Sequence, residues 1–430
     1  MKLNYRRTFF VGLAFLSICA FWQMYDNIIP LMLKKTFHLG ETVTGAVMAA
    51  DNILALFLLP LFGALSDKAS TPLGKRTPFI VAGTAVAVIA MIFIPVVNQR
   101  ADFPLFLIFL GIVLIAMSFY RSPAVALMPD LTPKPLRSKA NAVINLMGAV
   151  GGIYTLIMIK LLVSKKSENY LPLFLSVAAL MSIAVIILVI TIREKKLTAA
   201  VMMEQEPEMP AEKVSEKAGQ GVQQQPMPKE VRRSIFFILA SIFLWFTAYN
   251  AVTTAYSRYT EEVWHLSGGG YADSLLVATI AAICSYIPIG IISSRIGRKK
   301  TIIAGILLMT ISYLCGIFII EYSFLINIVF AFTGIGWAAI SVNSYPMVVE
   351  MSRSTDNGKY TGLYYTFSMS AQIITPIVSG FFLEFVSYRT LFPYALFFSL
   401  ASMLTMLMVK HGDSKPMKKS DVLENFDTTD

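Results

Sequence analysis

Residues 63–76 read GALSDKASTPLGKR and residues 290–300 read GIISSRIGRKK, and each lies between two long apolar runs. From Gly63 to Gly290 is 227 residues. His38-Leu39 recurs as His265-Leu266 at the same spacing, and Trp22 and Asn27 recur as Trp245 and Asn250 at 223. A chain that repeats loop, turn and helix residues in one order is built from two copies of one unit.

Composition says what that unit is. Of the 430 residues 56% are hydrophobic and 14% charged, too apolar for a soluble protein of this size. A bilayer core of roughly 30 Å needs about 20 apolar residues at a rise of ~1.5 Å each. The chain offers twelve such stretches, from Thr8–Leu33 to Leu391–Val409. They are apolar all round rather than alternating, which predicts helices and not barrel strands. A helix satisfies its own backbone in lipid. The expected fold is an all-α membrane protein of twelve transmembrane helices in two parallel six-helix halves, residues 1–192 and 234–410. Between them residues 193–233, rich in Glu, Lys, Gln and Pro, cannot bury a core and read as a cytosolic linker. Residues 411–430 read as a cytosolic tail.

The net charge of +10 has a topological explanation. With the N-terminus in the cytosol, 27 of the 36 Lys and Arg fall on the cytosolic side, as the positive-inside rule requires. Both termini are therefore expected in the cytosol, in a multi-pass protein of the cell membrane with no nucleic-acid partner. Lys2, Arg6 and Arg7 before an apolar run resemble a signal peptide, but Ile18 occupies the position before Cys19 where a lipoprotein cleavage site needs a small residue. The first helix is expected to stay uncleaved. Cys19, Cys284 and Cys315 all fall within spans, so no disulfide is expected. His38, His265 and His411 are scattered and form no metal or nucleophile constellation. No cofactor, metal or enzymatic centre is expected, and the protein is expected to be a monomer in the bilayer.

The two loop copies carry a family resemblance. Gly290, Arg295, Gly297 and Arg298, followed by Lys299, are similar to the Gly-x-x-x-Asp-Arg-x-Gly-Arg-Arg signature of the major facilitator superfamily, with Ser294 at the acidic position. Gly63, Asp67, Lys68, Gly74, Lys75 and Arg76 form a second, lengthened version. The resemblance implies transport by alternating access. It also makes these charges gating groups, for which Asp130 and Glu350 at neighbouring helix ends are candidate partners latching the halves together. The lengthened copy, Pro123, Leu127, Met128, Pro129 and Leu131-Thr132, and then Ala140-Asn141-Ala142, resemble the sucrose-transporter branch of the glycoside–pentoside–hexuronide cation symporters. That branch implies a small glycoside as substrate, coupled to H+ or Na+. The chain departs from it at Leu114 and Val125, where sucrose transporters have an acid and an arginine, and at Arg121, where melibiose-type carriers have an acid. Coupling must therefore be argued from this chain's own residues.

Three ionisable side chains lie deep in the spans: Asp26, Asp51 and Arg121. Each costs several kcal/mol there unless paired or facing water, and so is a functional candidate. Counted from the helix ends, the acids and Arg121 differ in height by about 5 Å. Either acid can serve as a proton carrier, or form a static pair with Arg121. Asp26, Asn27, Asp51 and Asn52 could instead offer hard oxygens to Na+. For substrate, Trp22, Gln23 and Asn27 share a face of helix 1 with Asp26, and helix 7 offers Trp245, Tyr249 and Asn250. Tyr365 and Gln372 on helix 11, with Tyr120 and Asn145, complete the candidates. Amides, hydroxyls and aromatic faces suit sugars; interface anchoring or core packing would explain the aromatic residues equally. The expected function is cation-coupled uptake of a small glycoside, with proton-driven export of a drug-like molecule or metabolite as the alternative.

Overall fold

The computed structural model describes residues 4–132, 137–163, 169–198, 229–266, 268–351 and 357–412. Among them are twelve long helices, each apolar and long enough to cross a bilayer. In chain order they are α1 (Tyr5–Lys35), α2 (Glu41–Lys68), α3 (Thr77–Gln99), α4 (Phe103–Asp130), α5 (Arg137–Leu162), α6 (Leu171–Thr191), α7 (Lys229–Trp264), α8 (Ala272–Ile296), α9 (Arg298–Ile317), α10 (Leu325–Glu350), α11 (Asn357–Phe385) and α12 (Leu391–Leu407). Large apolar side chains such as Phe57, Ile190 and Phe397 point outward, as a bilayer solvent permits. The start of α1 and the end of α12 lie at one end of the bundle, its termini-bearing end; the turns after α1 and α7 lie at the opposite, distal end.

The internal repeat is visible in the packing. Within the first half α1 packs on α5 and α6, α2 on α4, and α3 on α4 and α6. The second half repeats each contact with α7, α11, α12, α8, α10 and α9 in the matching places. The halves meet where α2 packs on α11 and α5 on α8, a pair of contacts that exchange under the repeat, and where α1 meets α7.

Two repeated motifs have a backbone cause. His38 and His265 both take positive φ, 52° and 53°. The next residues donate six positions back, Leu39 N to Leu33 O at 3.2 Å and Leu266 N to Thr260 O at 3.1 Å. This is the left-handed turn that closes a helix C-terminus, with histidine where glycine is usual. Gly74 and Gly297, at φ 122° and 98°, turn the chain into α3 and α9 in the same way. Helix α7 exceeds the expected Ser234–Ser257 at both ends. At 36 residues it is about 54 Å long and outreaches the membrane core. Its distal extension carries Arg258, Glu261 and Glu262, which find partners on the other half.

Candidate functional site

Three of the cavities among the described residues lie between or beside the halves. The smallest, about 210 Å³, is lined by Gln23, Asp26 and Asn27 of α1, Tyr249, Asn250 and Thr253 of α7, and Thr279 and Thr333 of α8 and α10. A second, about 580 Å³, runs between α5 and the second half, with Asn145, Tyr249, Tyr286 and Trp337 in its wall. A third, about 510 Å³, is walled by Asn52, Arg121, Tyr364, Tyr365, Ser368 and Gln372 among others. The larger two fall in the range of small-molecule sites.

Two residues bordering the smallest cavity each keep a buried polar atom without a hydrogen-bond partner among the described residues. Asn27 Nδ2 donates to Gln23 O at 2.8 Å, leaving its buried Oδ1 without a partner. The repeat mate, Asn250, leaves its Nδ2 unpartnered. The two amides, from opposite halves, both border this cavity, where side-chain reorientation can offer an acceptor and a donor to a solute's hydroxyls. Among the described residues no hydrogen bond or ion pair reaches Asp26. Tyr249 stacks on Trp337 with ring centroids 3.9 Å apart and planes 9° apart, and this pair borders the second cavity.

The structure separates residues that sequence spacing grouped together. Among the described residues Arg121 has no carboxylate within 4 Å, so the expected alternative of a static pair with Asp26 or Asp51 is not formed; its guanidinium lies 5.8 Å from the Trp22 ring. Asp51 accepts from Asn52 Nδ2 at 2.8 Å, and Asn52 lines the Arg121 cavity while Asp26 and Asn27 line another. Of the four residues expected to offer oxygens to Na+, Asp26 and Asn27 border one cavity and Asn52 another. Tyr120 and Trp245 line none of these cavities. Tyr120 is buried against α1, donating to Ala14 O at 2.8 Å and bonded to Ser17 Oγ; Trp245 is wholly buried in the core. Both are candidate substrate contacts that the structure places in buried packing positions away from these cavities. Trp22 packs edge-on against Phe21 and Tyr25.

The signature loops also differ from expectation. Arg76 Nε donates to Asp130 Oδ2 at 2.8 Å, and the same guanidinium pairs with Asp67. Although burial disfavours the charged guanidinium, the hydrogen bond and charge of Asp130, then those of Asp67, hold the Arg76 pKa above its ordinary value. All three residues belong to the first half, so this pairing staples α2, α3 and α4 rather than latching the halves. Gly63 lets α2 approach Ser122 of α4. Glu194, just after α6, joins the knot by accepting from Lys75 N, Arg76 N and Thr77 N at 2.7, 2.9 and 2.8 Å. A carboxylate suits the first turn of α3. Gly74 makes room, since a Cβ there would lie 2.3 Å from Glu194 Oε2. Lys68 ends α2. In the second copy Gly290 is buried in α8, Arg295 is in its last turn, and Arg298 opens α9. The side chain of Glu350 lies outside the described residues.

Charges that do join the halves sit at the distal end, and sequence reasoning missed them. Arg258 of α7 donates to Glu41 of α2 at 2.6 Å, with side chains 4% and 3% exposed. Tyr388 donates to the other Glu41 oxygen, and Lys34 lies 3.6 Å from it. Lys34 also pairs with Glu262 at 2.6 Å, Lys35 with Glu261, and Lys160 with Asp273 at 2.6 Å. Backbones touch as well: a Cβ on Gly45 would lie 2.1 Å from Pro376 O, and one on Gly269 2.3 Å from Ile159 O. The distal end is closed.

The sequence profile of the Major Facilitator Superfamily matches residues 11–287 and 272–425. The chain belongs to that superfamily. It is a multi-pass membrane transporter. No curated protein matches this sequence. Among solved structures, the nucleoside transporter NupG is similar at TM-score 0.65 and 16% identity, covering 94% of this chain and 100% of that one. The POT family transporter PepTSo matches at TM-score 0.67 and 12% identity, covering 95% and 98%. A bacterial homologue of the iron transporter ferroportin, in an inward-facing state, matches at 0.66 and 12%, covering 94% and 99%. At these identities the facilitator fold is shared and cargo is not assigned.

Proposed function

We propose that this facilitator takes up a small glycoside of about disaccharide size together with a proton, alternating between a state closed at the distal end and one open there. The observation that carries the reading is the pair of cavities that share Tyr249: one of about 580 Å³ has room for the solute, and in the smallest Asp26 stands without a hydrogen-bond or ion-pair partner among the described residues. A mid-membrane carboxylate with no cation bonded to it is suited to carry a proton through the cycle. The paired amide atoms suit sugar hydroxyls, and the Tyr249–Trp337 stack offers an apolar platform for a ring. The sucrose-branch resemblance of the first half points to the same cargo. The bias of Lys and Arg toward the termini-bearing end supports an outer distal end, which makes the present state cytosol-facing.

Proteoliposomes with an imposed proton or sodium gradient, offered labelled glycosides, test this reading. Expected are accumulation driven by protons and, in Asp26→Asn, loss of accumulation with counterflow retained. Proton-driven accumulation unchanged in Asp26→Asn removes Asp26 from coupling. Accumulation driven by sodium alone replaces the coupling ion, and extrusion rather than uptake makes the protein an exporter.

A further inference from the structure

The proton reading leaves Arg121 without a task. It sits in α4, nine residues before the helix end at Asp130 and so about 13 Å deep, and its side chain borders the 510 Å³ cavity. Among the described residues it is the sole charged one in that wall. Among those residues it has no ion pair and no hydrogen bond, and its guanidinium lies 5.8 Å from the Trp22 ring. The carboxylates Asp26 and Asp51 act on it through space without bonding to it. Elsewhere the chain treats its buried arginines differently. Arg76 is held by two carboxylates and Arg258 by one, with the Thr254 carbonyl at 2.9 Å besides.

A guanidinium stays protonated at any physiological pH and presents a planar fork of N–H donors that matches a carboxylate or phosphate in two parallel bonds. Holding one unpaired at mid-membrane costs free energy that structural duty does not recover, because this one braces nothing. The opposite wall comes from α11 of the other half, where Tyr365, Ser368 and Gln372 bring neutral polar groups to the same space. An anion seated there would bond both halves at once and give the Arg121 guanidinium the hydrogen-bonded partner it lacks among the described residues.

We propose that the transported solute is an anion, a small organic molecule bearing a carboxylate or phosphate group that Arg121 receives in the cavity between α4 and α11. The inference rests on the transport reading above for the role of the cavity and sharpens its substrate class; it does not depend on the sugar skeleton.

The test uses the full-length protein in nanodiscs and measures binding of a matched panel. The panel holds methyl glucoside, methyl glucuronide and glucose 6-phosphate, with cyclohexanecarboxylate and phenyl phosphate as anions lacking a sugar. At least one anion is expected to bind more tightly than neutral methyl glucoside by roughly ten- to hundredfold, the range of one charge-assisted hydrogen-bonded contact. The carboxylate and phosphate arms decide which group is recognised. Arg121→Gln is expected to erase the preference, so that anionic and neutral members of the panel no longer differ in affinity, while Arg121→Lys keeps part of it. If Arg121→Gln does not fold, the panel on the unsubstituted protein decides alone. Anions that bind with or without a sugar, while the neutral glycoside does not, uphold the inference, and binding only by the sugar-free anions sinks the glycoside reading instead. A neutral glycoside that binds as tightly as its anionic counterparts, an anion preference that survives Arg121→Gln, or no binding by any anion overturns the inference.

Discussion

Replacing Glu41 by Gln is expected to open the distal end of the transporter. In the closed state Arg258 Nε donates to Glu41 Oε2 at 2.6 Å, with both side chains almost wholly buried. Removing the carboxylate leaves a guanidinium buried without its counter-charge, and breaking such a pair from one side costs about 3–5 kcal/mol. That cost falls on the closed state, because opening parts α2 from α7 and lets water reach Arg258. At about 1.4 kcal/mol per decade, the ratio of open to closed distal ends rises by roughly a hundredfold or more. Glu41→Gln combined with Arg258→Met removes both charges, leaves nothing ionic buried, and is expected to shift the ratio far less than the single change. The assay is alkylation of a single cysteine placed at Thr253, in the smallest cavity, in a background lacking Cys19, Cys284 and Cys315, with an impermeant maleimide on the distal side. An alkylation rate in Glu41→Gln equal to that of the parent would refute the gate. Equal rates in the single and double variants would show that the uncompensated charge is not what drives opening.

Gly45→Val places a side chain where even a Cβ comes 2.1 Å from Pro376 O. It is expected to prevent distal closure, raising the same alkylation rate and reducing net uptake to background while the protein still folds. Gly74→Ala sets a Cβ 2.3 Å from Glu194 Oε2 at a residue with φ 122°. It is expected to lose roughly 1–3 kcal/mol, read as a lower melting temperature in detergent. Glu194→Ala removes the carboxylate that caps α3 and should lower the melting temperature comparably, at about 1–2 kcal/mol. Because both changes act through one contact, the double variant is expected to fall short of their sum.

The fold was legible because its signals are local. Apolar runs of membrane length, His38 with His265, and Gly74 with Gly297 are read one segment at a time, and the two pairs turned out to share a backbone geometry. Site residues were legible where a helix face points at the partner half: Gln23, Asp26, Asn27, Tyr249 and Asn250 come from α1 and α7 and meet in one cavity. Depth alone misled for the charges. Arg121 and the two acids lie at similar heights, yet similar height does not place side chains on facing sides of neighbouring helices, and no pair forms. Tyr120 and Trp245 carry polar handles on aromatic bodies, which serve packing as well as recognition, and nothing local separates the two uses. Glu41 and Arg258 were unreadable because their meaning is the pairing itself, across 217 residues of chain.

The placement of charges also constrains how the transporter moves. At the termini-bearing end Arg76, Asp67, Asp130 and Glu194 bind segments of the first half to one another, and Lys299 reaches the carbonyls ending α12 within the second. Such contacts survive a rigid rotation of one half against the other. The distal pairs, Glu41 with Arg258 and Lys34 with Glu262, bridge the halves and cannot survive it. Opening therefore breaks ion pairs at one end without dismantling the knots at the other. The rotation is borne by the two contacts that the repeat exchanges, α2 on α11 and α5 on α8. At the first of these Gly45 and Gly380 bring backbones together, and at the second Gly269, in the turn before α8, meets Ile159. Close backbone contact through glycine is a surface that can part and re-form. A bound solute touching Asn27 and Asn250, or Arg121 and Gln372, would join the halves near that axis, where it can favour passage between states without locking either end.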